Sequence, residues 1–385
     1  MRCTPEALHD ALAKLDSQDR RRQRTARSVG LRDFCSNDYL GLCDHPQLIE
    51  AVARAARHHG AGGRASHLVN GHTEEHEALE QELAVFTGRE RALVFSTGYM
   101  ANLGVVQALS GTHAIVLQDR LNHASLIDAA RLAAPRGLHR YLHGDVDDAR
   151  QRLAAAITKQ PSASRLVVTD GVFSMDGDLA PLPELARLAK EHEAWLVVDD
   201  AHGIGTIGQH GAGCCEFFGL GSAEVPVLIG TFGKALGSFG AFVAGDAALI
   251  EWLMQTARPY IYTTALPPAV AAATRASLAL LRTESWRQKT LQTNIQHFRE
   301  RAQQLQLPLL ASHSAIQPMI LGAEQRSLQV SQKLRERGFA VAAIRPPTVP
   351  QGTSRLRVTL SARHDPTEID ALLQTIADIL VETSP

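Results

Sequence analysis

Six short β-rich runs recur between about Gln47 and Val270: RALVFS, HAIVLQD, RLVVTDGVFS, AWLVVDDAHG, VPVLIGTFG and GAFVAG. Helical segments such as PLPELARLAKEHE separate most of them. Short apolar strands that alternate with helices specify an α/β fold, a parallel sheet covered on both faces. With 385 residues the chain is too long for one small core, so two or three domains are expected. We place an N-terminal helix and arm at 1–46, a large domain at 47–270 and a smaller C-terminal α/β domain at 271–385. Pro5 to Thr25 reads as a polar amphipathic helix. The helix EEHEALEQELAVFTG should stop at Gly88. A single long helix is expected over PAVAAATRASLALLRTESWRQKTLQ, and a last one over PTEIDALLQTIADILVE.

Composition excludes several classes of partner. Apolar residues make up 45% and charged residues 21%, which places the chain among soluble globular enzymes. The formal net charge of -1 offers no field for nucleic acid or an anionic membrane. The basic run Arg20, Arg21, Arg22 and Arg24 is diluted by Asp16 and Asp19 and reads as a solvated helix face. Five cysteines, Cys3, Cys35, Cys43, Cys214 and Cys215, show no CxxC spacing and suit a reducing cytosol. The N-terminal stretch carries acidic residues where a signal peptide needs an apolar run. No segment reaches the roughly 20 apolar residues of a membrane helix. The expected location is the cytoplasm.

In open parallel sheets, ligands bind beyond the carboxyl ends of the strands, so polar residues there carry information. Gly98 and Tyr99 follow the run RALVFST at a strand-to-helix turn. A glycine there lets backbone N–H groups approach an anion, and the helix N-terminus favours phosphate. It also fits an ordinary tight turn. Asp199, Asp200 and His202 end the run WLVV, as cofactor ligands or as a helix cap. Lys234 follows VLIGTFG. The glycine spacing there is not that of a Walker A loop, and Ala235 stands where that loop needs Ser or Thr. A strand-end lysine between Gly233 and Gly237 is placed for a desolvated amine to attack a carbonyl. His123, in QDRLNHASL, is one of 17 histidines and by itself reads as a loop residue.

Taken together, CSNDYLGL, FSTGYMAN, DRLNHASL, TDGVFSMDGD, VVDDAHGIG, GTFGKALGS and PPTVPQGTSRLRVTL resemble the α-oxoamine synthases, fold-type I pyridoxal-phosphate enzymes. The motifs run in order from Cys35 to Leu360. The resemblance implies pyridoxal 5'-phosphate as cofactor, with Lys234 as its Schiff-base lysine and carrier of the Cα proton. Asp199 would keep the pyridine nitrogen protonated, and His123 would stack on the ring as a catalytic residue that also meets substrate. His202 and Ser174 would bond the phenolic oxygen. Gly98, Tyr99 and Thr231 would bind cofactor and phosphate. Thr263 and Thr264 would reach the phosphate in the partner subunit of a homodimer with shared sites. Within the family, AIRPPTVPQGTSRLR and GGRASHLVNGH resemble the members that condense L-alanine with a pimeloyl thioester, on coenzyme A or acyl carrier protein. That reaction releases CO2 and the free carrier, in the biotin pathway. Arg22, or its neighbour Arg21, would meet the acyl substrate together with Thr348. Arg345 or Arg357 would hold the alanine carboxylate. Glycine-using relatives are the alternative.

A different class is also encoded. His72, Glu75 and His76 match H-x-x-E-H, a zinc-hydrolase pattern, and two histidines at i and i+4 share one helical face. The competing reading is a helix start just after a glycine loop, with Thr73 and Glu74 suited to capping and the helix dipole. No metal is expected at the catalytic site.

Overall fold

The computed structural model describes residues 4–22, 24, 30–111, 113–134 and 137–383; Cys3 lies outside them. Contacts divide the chain into two compact units. The larger comprises Asn37–Ser174 and Asp178–Leu291, and the smaller Met1–Ser36, Met175–Gly177 and Gln292–Pro385. The boundaries drawn from the sequence, after residues 46 and 270, do not coincide with these. The helix Pro268–Thr283 packs against the helices Pro46–His59 and Glu74–Thr87, which holds it in the larger unit.

The larger unit is built on seven strands: β1 (Arg91–Phe95), β2 (Ala114–Asp119), β3 (Leu138–Tyr141), β4 (Ser164–Asp170), β5 (Trp195–Asp199), β6 (Val227–Thr231) and β7 (Ala241–Gly245). Their order across the sheet is β1-β7-β6-β5-β4-β2-β3. The sheet is mostly parallel; β7 alone runs antiparallel to its neighbours β1 and β6. Only residues 232–240 join β6 to β7, too few for the crossover of a dozen or more residues that parallel pairing needs. β3, with the sequence LHRY, is not among the apolar runs because it is a sheet edge and carries His139 and Arg140.

Strand alternation sorts side chains between two cores. Leu93 and Phe95 join Val116, Leu166, Val168, Val197 and Ile229 on one face. Ala92 and Val94 join Leu79, Leu83, Phe232 and Phe242 on the other. The helix Glu74–Thr87 ends as expected at Gly88, whose φ is +65°. The single helix expected over residues 268–292 is instead two, Pro268–Thr283 and Trp286–Gln304. At the break Glu284 N–H closes the first helix on Leu280 O, 2.7 Å away, and Arg287 grips the Glu284 carboxylate at 2.6 Å. Beyond β5, the Asp200 carboxylate is fully buried and accepts the Cys214 N–H at 2.5 Å. Gly171, Gly203 and Gly213 surround it. A Cβ on any of them would lie 2.5, 2.1 or 2.0 Å from its oxygens.

The smaller unit has a three-stranded antiparallel sheet of Ile316–Gly322, Ser354–Thr359 and Ala342–Ile344. A short parallel pair joins Arg32–Asp33 to Phe339–Ala340. The last helix, Pro366–Glu382, starts with a capping box between Asp365 and Glu368. The N-terminal helix is Pro5–Ser17, shorter than expected, and the chain turns at Asp19 with φ 53°. No described helix is long and apolar enough to cross a membrane.

Candidate active site

β4, β5 and β6 lie side by side and end at Asp170, Asp199 and Thr231, with Asp170 in direct register with Asp199. Beyond these ends opens a cavity of about 330 Å³, in the size range of small-molecule sites. Gly98, Tyr99, His123, Ser174, Asp199, His202, Thr231 and Lys234 all line it. Residues up to 136 positions apart in the chain, Gly98 and Lys234, are thus brought to one rim by parallel strand order. Lys234 sits in the tight turn between β6 and β7, where Gly237 makes its approach possible. Its φ is +60°, and a Cβ there would lie 2.5 Å from the Cys43 nitrogen.

Asp199 does not cap a helix, since turns follow it. Its Oδ1 accepts the Ala201 N–H at 3.0 Å and its Oδ2 accepts the Asn102 amide at 2.6 Å. Asn102 also donates to Ser125 Oγ at 2.7 Å, and Ser125 Oγ lies 2.7 Å from His123 Nδ1. The Ser125 N–H points at the same Nδ1, so that nitrogen is the acceptor and Nε2 carries the proton. Burial pushes His123 below the ordinary imidazole range; Asp199 opposes the shift and Lys234 adds to it. Asp170 Oδ2 accepts the His123 N–H at 2.7 Å. Burial, and then the charge of Asp199, raise the Asp170 carboxyl well above its ordinary value. On the other side, His202 Nδ1 lies 2.7 Å from the hydroxyl of buried Tyr39, which fixes the orientation of the imidazole.

The rim near Gly98 is suited to an anion. Thr97 caps the helix Gly98–Ser110 through the Met100 N–H, which leaves other first-turn N–H groups for a ligand. Thr231 Oγ1 is buried with no protein partner among the described residues. A Cβ on Gly98 would come within 2.7 Å of Thr231 Cγ2, so only glycine keeps this corner open. An orphaned hydroxyl at a helix start suits a phosphate. An amine sharing the cavity with a buried carboxylate suits an aldehyde cofactor with a basic ring nitrogen. The residues therefore fit pyridoxal phosphate.

The remaining predicted residues lie elsewhere. Thr263 and Thr264 are not on this cavity's wall; Thr264 is exposed and its carbonyl is 3.4 Å from Ser96 Oγ. Arg22, Arg345, Thr348 and Arg357 belong to the smaller unit. There Arg22 donates to Thr348 Oγ1 at 2.9 Å, whereas Arg21 pairs with Asp16. Arg345 donates to the Asp19 carbonyl, and Arg357 is buried in Ser354–Thr359. The H-x-x-E-H motif is the start of a helix. His76 Nδ1 accepts the Thr73 N–H in a capping box, and Glu75 is held by Arg275 at 2.7 Å, which removes the general base a hydrolase would need. Sequence reasoning missed Asn102, Ser125, Tyr39 and Asp170. Only Asp170, an acid ending a strand like Asp199, carried a readable signal.

His143 holds the loop that carries His123. It bridges Asp119, at 3.1 Å, and Asp178, at 2.9 Å. Burial would lower its pKa, but the hydrogen bonds to Asp119 and Asp178 outweigh burial and raise it to about 10. A raised pKa stabilises the fold fully below the unfolded value of about 6.5 and loses that contribution as pH rises through 10. Unfolding free energy measured in urea should fall between pH 7 and 10 in the wild type. In His143→Gln the decline should be shallower, and an unchanged slope would show that the bridge contributes nothing.

Comparisons with known proteins agree with this geometry. A profile of the class I and II aminotransferases matches residues 30–376. The chain is 57% identical over 351 residues to an 8-amino-7-oxononanoate synthase of Cellvibrio japonicus, covering 91% of this chain and 87% of that protein. It is 58% identical over 346 residues to the synthase of that name from Methylococcus capsulatus, covering 90% and 88%. Among solved structures, serine palmitoyltransferase of Sphingomonas wittichii superposes with a TM-score of 0.90 at 31% identity, covering 98% and 97% of the two chains. An 8-amino-7-oxononanoate synthase from Francisella tularensis superposes with a TM-score of 0.78 at 30% identity, covering 92% and 99%. The fold is that of the fold-type I transferases, and the chain belongs to the class I and II aminotransferase family, in the branch of the 8-amino-7-oxononanoate synthases.

Proposed function

We propose that this chain is a pyridoxal-phosphate-dependent acyltransferase that joins L-alanine to a pimeloyl thioester. CO2 and the free carrier are released and 8-amino-7-oxononanoate is formed, in biotin biosynthesis. The observation that carries this reading is the cavity itself, where Lys234, Asp199, His123 and the orphaned Thr231 hydroxyl meet. The substrate pair comes from the 56–58% identical relatives of that name.

Pyridoxal phosphate supplies an electron sink for the carbanion at the amino-acid Cα. Lys234 Nζ would hold the cofactor aldehyde and, with alanine bound in its place, would carry the Cα proton. The Asp199 carboxylate would keep a proton on the ring nitrogen, a hydrogen-bonded anion raising the basicity of its partner. Asn102 aims that carboxylate and, through Ser125, ties it to His123, so ring contact and ring charge are set together. His123 would lie against the ring and the acyl substrate. His202, steadied by Tyr39, and Ser174 would donate to the phenolic oxygen. Thr231 and the first turn at Gly98 and Tyr99 would take the phosphate. Arg345 or Arg357 is assigned to the alanine carboxylate, for which a guanidinium offers a two-pronged donor. Arg22 with Thr348 is assigned to the polar end of the acyl group, which is carried on coenzyme A or acyl carrier protein. None of the four described cysteines forms a disulfide, which supports a cytoplasmic location.

The enzyme is further proposed to be a homodimer in which Thr263 and Thr264 complete the phosphate site of the partner. Thr264 supports this by its exposure and by lying off its own cavity wall.

Borohydride reduction should fix the pyridoxyl group on Lys234, and mass analysis should find 8-amino-7-oxononanoate from L-alanine and pimeloyl thioester. A preference for glycine with an acetyl or succinyl thioester would reject this substrate pair. Asp199→Asn keeps an acceptor for the Ala201 N–H and loses only the one bond from the Asn102 amide, so it should still fold while turnover falls on the order of a hundredfold or more. Near-normal turnover would mean that the carboxylate does not govern the ring. Mixing Lys234→Ala with Thr264→Ala protomers should restore activity above the mean of the two homodimers, because each hybrid holds one intact site. A fully active monomer in sedimentation would dispose of the shared site.

A further inference from the structure

We propose that His67, His72 and His76 form a site for one zinc-class divalent cation, separate from the cofactor cavity. One ring nitrogen of each lies within 4.8 Å of the others. The Nδ1 atoms of His67 and His72 are 3.1 Å apart. Two nitrogens on a tetrahedral zinc, with bonds of about 2.0–2.1 Å, stand roughly 3.3 Å apart. The two nitrogens already face each other at hydrogen-bonding distance, and a cation can sit between them without moving either ring far.

A ligating histidine has its second ring nitrogen held by a carbonyl or carboxylate, which fixes the ring and aims the free lone pair. Two of the three already have such a partner. His76 Nε2 is 2.6 Å from the Leu266 carbonyl, and His72 Nε2 is 3.3 Å from Glu77 Oε2. His67 is buried and lies flat on Tyr260, with ring centroids 5.0 Å apart and planes 9° from parallel. His76 Nδ1 accepts the Thr73 N–H at 3.1 Å. An incoming ion takes that lone pair, so binding exchanges the capping contacts of Nδ1 with the Thr73 N–H and with Thr73 Oγ1, 3.0 Å away, for a metal bond. Three nitrogens leave a fourth position for water. Glu75 is engaged by Arg275, so the site holds an ion without a base to activate that water.

The place of the cluster gives the ion a consequence. The glycine-rich loop GAGGRASHLVNG is joined to the segment after Thr264 by the Ala265 N–H on Ala65 O at 2.8 Å, and the helix Glu74–Thr87 is joined to the same segment by His76 Nε2 on Leu266 O. A cation across the three histidines ties His67 of that loop to the start of the helix Glu74–Thr87. It thereby stiffens the support of Thr263 and Thr264. A second group, His58, His59 and Glu74, has the composition of a metal site but is largely exposed, with His58 74% and Glu74 71% accessible, and serves as the control.

Cofactor-loaded enzyme dialysed against Zn²⁺ should retain one ion per chain. His72→Ala should weaken retention at least tenfold, and Glu77→Gln, which removes only the outer partner, by about tenfold. The His58→Ala/His59→Ala double variant should bind like wild type. The His72 side chain is 30% exposed, so its removal should leave the fold intact by circular dichroism, and Glu77→Gln tests the same site without deleting a ligand. Co²⁺ in place of Zn²⁺ should give the visible bands of tetrahedral coordination, absent in His72→Ala. The proposal is overturned if wild type retains no stoichiometric ion, or if retention survives both His72→Ala and Glu77→Gln but is lost in the His58/His59 double variant.

Discussion

Two carboxylates stand side by side at the ends of β4 and β5, and most of the site is a response to that. Asp170 and Asp199 are register partners, 4% and 5% exposed, with little water to screen them. Like charges so placed force unequal roles. Asp199 receives a side-chain amide and a backbone N–H, whereas Asp170 receives one backbone N–H from His123. Asp199 is thus the better-solvated acceptor, and the Asp170 carboxyl is driven toward its neutral form. The asymmetry fixes several elements at once. The helix Gly98–Ser110 must present Asn102, and the helix Ala124–Ala133 must begin at His123 with Ser125 facing inward. The positions of Lys234 and the phosphate corner then follow from the next strand, β6, in the same sheet.

Much of this was legible in the chain because it depends on local pattern. Apolar runs bounded by turns located every central strand, since strands buried on both faces cannot hide polar residues in their middle. Strand ends flagged Asp199, His202 and Lys234 because a polar residue directly after such a run has few structural reasons to be there. The edge strand β3 escaped because an edge tolerates His139 and Arg140. The antiparallel direction of β7 is set by the length of a connection, which a run of apolar residues does not record. The break at Glu284 was invisible because the helical pattern continues through it and only an Arg287 side chain marks the turn. Asn102, Ser125 and Tyr39 were unreadable for another reason. Each acts through a neighbour that is distant in sequence, so no local spacing announces it. The same holds for His67, which lies outside H-x-x-E-H and meets its partners only through the turn that ends at Gly71.

Three stretches of chain that are separate in sequence each contribute one glycine to the wall around Asp200, and none leaves room for even a methyl group. For sequence drift, these four positions behave as one inherited block. A glycine among them can gain a side chain only after the acid has changed, and loss of the acid frees a Cys214 N–H in a dry interior. A library aimed at a new substrate should therefore vary the cavity wall and hold this quartet fixed. A transplant of the site onto another sheet must carry all four together, because the block sets the path of the chain immediately after Asp199.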